Sequence, residues 1–142
     1  MEKELQYQSH IQSIPEIRKD LEETSKQWDI PRSELRQIIL IIEELFSNTI
    51  RFAYNDEREH YIRIRLKRTV REICIEMIDD GIPFNPLEYK LVLKNDPSAS
   101  DDGGMGLTLI RTFSDSISYS REGEMNHLFI RKIIRSSPQK TG

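Results

Sequence analysis

The side chains best placed to do chemistry are Glu44 and Asn48, one helical turn apart, and Asp79, which is followed two positions later by Gly81. A carboxylate such as Glu44 can polarise an attacking hydroxyl. The amide oxygen of Asn48 is a hard, neutral ligand suited to Mg²⁺ that already carries phosphate oxygens and waters. Asp79 closes an alternating apolar run, and the backbone bends away at Gly81 and Pro83. A carboxylate fixed there is suited to accept a hydrogen bond from an exocyclic amine such as that of adenine. Farther on, Gly103-Gly104-Met105-Gly106 precedes the helical run Leu107 to Phe113. Its backbone N–H groups and the positive end of the helix dipole suit phosphate. Each segment also has a plainer reading: a solvated helix face, a common Asp-Gly turn, or a flexible linker ahead of a helix. Taken together and in order, they read as a nucleotide site. The glycine loop is neither a Walker loop, which needs Gly-Lys-Ser/Thr, nor a dinucleotide fingerprint, since no strand runs directly into it.

The elements that must carry these residues follow from changes of hydrophobic period. Leu5 and Tyr7 alternate in an opening strand that extends at most to Ser9 and Ile11. Pro15 then begins a helix with apolar Ile17, Leu21 and Trp28, ending near Asp29. Pro31 starts a second, longer helix, in which Leu35, Ile38, Ile39, Ile42, Leu45, Phe46, Thr49 and Ala53 recur at three- and four-residue spacing. Glu44 and Asn48 fall on the flank of that stripe. From Tyr61 to Arg68, Ile62, Ile64 and Leu66 alternate with Arg63, Arg65 and Lys67, giving a strand with one wet face, and Ile73, Ile75 and Met77 continue as its hairpin partner. Alternation places Asp80 on the face opposite Asp79. Gly81 to Gly106 is a long irregular connection with at most a helical turn around Leu87 to Leu93, and such a connection is more often functional than idle. Gly106 to Phe113 is helical, Ile117 to Arg121 and Leu128 to Ile134 are strands around a turn at Glu122-Gly123-Glu124, and Ser136 to Gly142 is a disordered tail. The expected fold is an α+β two-layer sandwich: a mixed, mostly antiparallel sheet with helices on one face, forming one domain over residues 1–135.

Composition bounds the function. A chain of 142 residues with 37% hydrophobic content holds one ordinary core. A formal charge of -3 with 32% charged residues gives no basic footprint for nucleic acid. The longest apolar run, Ile38 to Ile42, is too short to span a bilayer and Met1-Glu2-Lys3-Glu4 is not a signal region, which points to the cytoplasm. Cys74, the lone cysteine, reads as a packed small hydrophobe.

The three segments resemble, in order, the N-box and the two glycine boxes of the ATPases and kinases that share the fold of gyrase and the histidine kinases. Within that superfamily, Asp80-Gly81-Ile82-Pro83-Phe84-Asn85-Pro86 and Gly103-Gly104-Met105-Gly106-Leu107-Thr108-Leu109-Ile110 are similar to the small bacterial serine kinases that act as anti-sigma factors. The resemblance spans Leu5 to Ile134. It implies Glu44 as the general base, Asn48 as the Mg²⁺ ligand and Asp79 as the adenine-binding acid. It further implies ATP contacts from Asn48, Gly81, Pro83, Gly103, Gly104, Met105, Gly106, Leu107 and Thr108, and a lid over ATP at Leu91 to Gly103. The implied partners are a sigma factor and a STAS-domain antagonist, the latter phosphorylated on serine or threonine, with homodimerisation through the first strand and helix. One departure stands out: where many relatives carry His-Gly or His-Ala after the N-box, this chain has Phe52-Ala53, and Phe52 neither donates nor accepts a hydrogen bond. Three other readings stay open: the ATP-binding part of a histidine kinase, a switch kinase that phosphorylates another antagonist without touching sigma, and a binding-only nucleotide module. The first would need a histidine-bearing helical hairpin upstream, and His10 lies in a strand-like run.

Overall fold

A computed structural model describes residues 1–88 and 108–135. The alternating runs form the strands that their period predicts. β1 spans Glu2–Gln8, β2 Tyr61–Arg68 and β3 Glu72–Asp79, followed after the long connection by β4 Ser116–Glu122 and β5 Met125–Ile133. Their order across the sheet is β1-β2-β3-β5-β4. Every pairing among these strands is antiparallel, so the parallel component expected of a mixed sheet is absent from them. The reason is topological. β2–β3 and β4–β5 are each hairpins and β4 takes the outer edge, so β5 lies beside β3 and runs opposite to it. The second hairpin has a two-residue loop, with Glu122 paired to Met125 and Gly123 at φ 62 in its first central position, where a side chain would be strained.

Among the described residues, two long helices cover one face of the sheet. Helix α1, Ile14–Gln27, opens on Pro15 in its first turn. Asp29 closes it in the left-handed region at φ 55 while the Ile30 N–H bonds to Ser25 O at 2.9 Å, a Schellman-type ending built without glycine. Helix α2, Arg32–Phe52, begins directly after Pro31. Its buried stripe is Leu35, Ile38, Ile41, Ile42, Leu45, Phe46 and Thr49. The stripe is rotated slightly from the sequence expectation, since Ile41 is fully buried and Ile39 only half-buried. It packs against Ile62, Ile64, Leu66, Ile75, Met77, Leu128 and Ile130 of the sheet, each such side chain contributing about 1.5–3 kcal/mol through burial. Tyr7 fastens β1 to this layer, its ring edge-on to Phe46 at 6.4 Å and its hydroxyl donating to Asp20 at 2.7 Å.

On the outer face Arg65 pairs with Glu4 at 2.7 Å and reaches Glu76 at 3.5 Å, in keeping with a solvated charged face. Cys74 is half-buried on this outer side and is not part of the helix-facing core, because its parity in β3 is that of Glu72 and Glu76. Among the described residues, no helix is long and apolar enough to cross a membrane.

Candidate nucleotide site

Register builds the site. β3 and β5 pair Asp79 with Asn126, and β4 and β5 pair Asn126 with Arg121, so three polar side chains form one row on the helix-facing side at one end of the sheet. Asp79 is 3% exposed and Asn126 1% exposed. Asp79 Oδ1 accepts from the Gly81 N–H at 2.9 Å and from Asn126 Nδ2 at 2.8 Å. Burial pushes the Asp79 carboxyl above its ordinary range, while these two donors and the more distant Arg121 pull it back and Asp80 adds to the rise.

Gly81 is required by contact. A Cβ there would lie 2.5 Å from Ala53 O and 2.7 Å from Ala53 Cβ, so the turn seats directly on the last turn of α2. The Ile82 N–H seals the contact with a 2.8 Å bond to Ala53 O. Pro83 follows as an exposed residue. The end of α2 and the turn after Asp79 are therefore in direct packing contact.

Glu44 and Asn48 lie on the half-buried flank of α2, beside buried Leu45, Phe46 and Thr49, as their spacing predicts. Glu43 is different. Arg18 engages both of its carboxylate oxygens, at 2.5 and 2.8 Å, which ties α2 to α1. Gly103, Gly104, Met105, Gly106 and Leu107, with the expected lid from Leu91 to Gly103, lie outside the described residues, as does the tail from Ser136. Thr108 is exposed at the start of the helical residues 108–113, and buried Ile110 anchors that segment to the core.

Several participants were not anticipated from the sequence. Asn126 is the hub of the row. Its Oδ1 accepts from Tyr119 Oη at 2.5 Å, Arg121 Nη1 at 3.1 Å and the Phe84 N–H at 3.3 Å, and its Nδ2 donates to Ile82 O at 2.8 Å as well as to Asp79. Arg121 Nη1 also donates to Gly81 O at 2.7 Å. Asn126 shares a face with Leu128 and Ile130, two residues before the expected start of the strand at Leu128. Phe52 lies against Phe84 with ring centroids 5.4 Å apart, adding an apolar clasp between α2 and the loop. Asp80 is exposed, as alternation predicts, and joins Tyr54 Oη at 3.0 Å and His60 Nδ1 at 3.2 Å.

A cleft of about 490 Å³ opens beside Gly81, between Tyr54, Ile82, Pro83 and Arg121. A larger concavity of about 760 Å³ lies on the opposite, outer face of the sheet. That one is lined by side chains such as Arg65, Glu76 and Arg131 that already pair with one another or with neighbours, and it holds none of the site residues. For the nucleotide reading, the row at Asp79 is the relevant end.

Comparison with known proteins bears on both fold and site. The sequence is 28% identical over 92 residues to the serine/threonine-protein kinase BtrW of Bordetella bronchiseptica, spanning 64% of this chain and 65% of that protein. It is 29% identical over 92 residues to the anti-sigma F factor of Oceanobacillus iheyensis, spanning 64% of this chain and 63% of that protein. The chain thus matches just under two thirds of the length of these two relatives. Among solved structures, the fold is similar to the RsbU and RsbW domains of a Mycobacterium tuberculosis protein, with a TM-score of 0.61 at 12% identity over 95% of this chain and 34% of that one. It is also similar to the SiaB–SiaC complex of Pseudomonas aeruginosa, with a TM-score of 0.58 at 15% identity over 92% of this chain and 89% of that one. The histidine kinase-like ATPase domain family matches residues 7–132, from β1 through β5 and across Glu44, Asn48, Asp79, Gly81 and Asn126, and the chain belongs to that family.

Proposed function

We propose that this chain binds Mg·ATP and transfers its γ-phosphoryl group to a serine or threonine hydroxyl of a STAS-domain partner protein, and that it also sequesters a sigma factor. The observation that carries the reading is the buried carboxylate of Asp79, held by two neutral donors beside a glycine that contacts the N-box helix. A carboxylate so placed has hydrogen-bonding capacity for a purine amine and no charged partner on the oxygen that both donors share.

The residues present fit the cofactor. The close seat of Gly81 on Ala53 holds the turn after Asp79 against the end of α2. Asn48 supplies one neutral oxygen on the flank of α2, which suits a Mg²⁺ ion that keeps most of its ligands as phosphate oxygens and waters. When bound, Mg·ATP supplies the phosphoryl group and the charge neutralisation. The chain's own work is positioning. Asp79 and Gly81 fix the base, Asn48 would hold the metal, and Glu44, one turn earlier on the same flank, orients the acceptor hydroxyl and takes its proton.

The partners rest on likeness: relatives named serine/threonine-protein kinase and anti-sigma F factor support a kinase that pairs with a sigma factor and an antagonist. Homodimerisation through β1 and α1, a cytoplasmic location, and ATP contacts from Pro83, Thr108 and the glycine segment Gly103 to Leu107 belong to the same proposal. The test is Glu44→Gln against Asn48→Ala. Glu44→Gln is expected to bind Mg·ATP like the wild type and to lose phosphotransfer to a STAS-domain protein by about 10²-fold or more. Asn48→Ala is expected to lose Mg-dependent ATP binding. Undiminished transfer by Glu44→Gln removes it as the base, and wild-type Mg·ATP affinity in Asn48→Ala removes the metal assignment.

A further inference from the structure

We propose that His60, as its imidazolium, clasps the α2–β2 connection to the turn after Asp79, and that nucleotide binding at this end of the sheet is thereby coupled to uptake of a proton. The coupling deepens the ATP reading above and rests on it for the ligand, whereas the clasp rests on the fold alone.

His60 is the last residue before β2, and its backbone carbonyl accepts from the Ser9 N–H, just past β1, at 2.9 Å. The side chain is 12% exposed and its ring lies flat on Tyr54, with centroids 4.3 Å apart. Nε2 is 2.7 Å from Asp56 Oδ1, in the same connection. Nδ1 reaches across to the facing wall, 3.2 and 3.3 Å from the two oxygens of Asp80, which also accepts from Tyr54 Oη at 3.0 Å. The side chains of Asp56 and Asp80 are 35% and 48% exposed, and a solvated carboxylate near neutral pH offers only acceptors. An imidazolium donates to both. A neutral ring has one N–H, so one of its nitrogens must turn a lone pair toward a carboxylate. The shorter contact, to Asp56, keeps that N–H, and the bond across to Asp80 is the one lost.

Charge acts in the same direction. The cleft beside Gly81 is lined by three carboxylates, Asp56, Asp80 and Glu124, and by two guanidiniums, Arg58 and Arg121. The imidazolium balances them, whereas a neutral His60 leaves one negative charge in excess beside an anionic ligand. The remaining groups near the ring do not reverse this. Tyr54 stays un-ionised well above its ordinary range, Asp79 behind the turn can add only negative charge, and Glu59 turns away to Gln8. Asp56 first and then Asp80 raise the His60 pKa against the opposing effect of burial. By linkage, a protonated form that binds nucleotide more tightly must hold its proton more tightly, by the same factor, once nucleotide is bound.

Two readouts on the full chain separate clasp from coupling. Nitrogen NMR without nucleotide follows the His60 ring and the Gly81 and Ile82 amides with pH. The ring is expected to titrate above about pH 6.5, with both amides moving at the same midpoint. Calorimetry gives the Mg·ATP dissociation constant between about pH 6 and pH 8, in two buffers of different ionisation enthalpy. The wild-type constant is expected to rise with pH about three- to fivefold more than that of His60→Asn, a comparison that removes the nucleotide's own titration. Proton uptake on binding, largest near the His60 midpoint, is expected in the wild type and absent from His60→Asn. Asp56→Asn can still accept from the Arg58 N–H, and it is expected to move the ring titration and the affinity transition together to lower pH, which a merely structural role would not do. If His60→Asn does not fold by circular dichroism, Asp56→Asn carries the comparison. A ring that titrates while the two amides stay unmoved overturns the clasp. Identical pH profiles in wild type and variant, with tight binding by the wild type, overturn the coupling. Failure of the wild type to bind Mg·ATP at any pH overturns the ATP reading and the coupling with it, while the ring and amide titration still decides the clasp.

Discussion

The helix-facing side of β5 carries a buried polar residue at each end, Asn126 beside Asp79 and Lys132 beside Glu34, and the two ends satisfy a buried carboxylate in opposite ways. Glu34 is 5% exposed and Lys132 2% exposed. Lys132 Nζ lies 2.8 Å from Glu34 Oε1 in a geometry too bent for a hydrogen bond there, so charge holds the pair. The ammonium spends its donors on Gln37 Oε1 and on Phe113 O at 3.2 Å, the last carbonyl of helical residues 108–113. That end is closed: an anion meets a cation and the cation finishes a helix. At the other end Asp79 meets only neutral donors on its bonded oxygen, and Arg121 spends its contacts on Gly81 O and Asn126. A carboxylate cancelled by charge is a structural tie, whereas one held by neutral donors keeps hydrogen-bonding capacity for a ligand.

The largest expected effect comes from breaking the closed end. Lys132→Ala leaves Glu34 buried without its cation and is expected to cost about 3–5 kcal/mol in urea unfolding. A loss below about 1 kcal/mol would mean that the pair is solvated and the contrast between the ends is wrong. Next is Gly81→Ala, whose Cβ would meet Ala53 O at 2.5 Å. Overpacking of this kind costs about 1–3 kcal/mol, and here it should also weaken nucleotide binding because the turn is forced off α2.

Asp79→Asn tests the open end from the other side. The variant should lose the ATP-induced rise in melting temperature while remaining folded. Because the folded-state pKa of Asp79 lies above its unfolded value of about 3.9, the folded protein binds the extra proton in that window, and wild-type stability without nucleotide falls as pH rises through it. In Asp79→Asn that downward slope should flatten, and an unchanged slope in melts across the carboxylate range would remove Asp79 as its source.

The smallest effect concerns His60, next to the open end. Its Nε2 is 2.7 Å from Asp56 Oδ1 and its Nδ1 3.2 Å from Asp80 Oδ1, so the doubly donating imidazolium fits and its pKa is raised, chiefly by Asp56. Its stacking on Tyr54 at 4.3 Å places it against the site. The stabilisation is full below about pH 6.5 and is lost as pH rises through the folded pKa. In a partly solvated pair it is small. Melting midpoints between about pH 6 and pH 8 should fall slightly in the wild type and less in His60→Asn.

Much of this was legible along the chain. The alternation of Ile62, Ile64 and Leu66 with Arg63, Arg65 and Lys67 carries its own register of burial, and β2 spans the predicted Tyr61–Arg68. Glu44 and Asn48 were legible because helical period alone puts them on one flank. Asn126 was not: the strand was expected to begin at Leu128, and an asparagine before it reads as turn chemistry until β3 is known to lie alongside. Lys132 drew no reading from the sequence for a similar reason. Its burial depends on Glu34, far away in sequence at the start of α2, and a cation is placed inside only when such a partner arrives.

Local patterning by itself determined the element order, the helix-facing stripe of α2, the outer charged face and the positions of Glu44, Asn48, Asp79 and Gly81, because each depends on a period or turn propensity contained within a few residues. Only the tertiary structure decided which strand lies beside Asp79, which direction the Asn126 amide must face, and that Gly81 is needed for its contact with Ala53. Those features depend on pairing between distant segments, where the cost of burying an unpaired donor or acceptor is set by what the other segment brings.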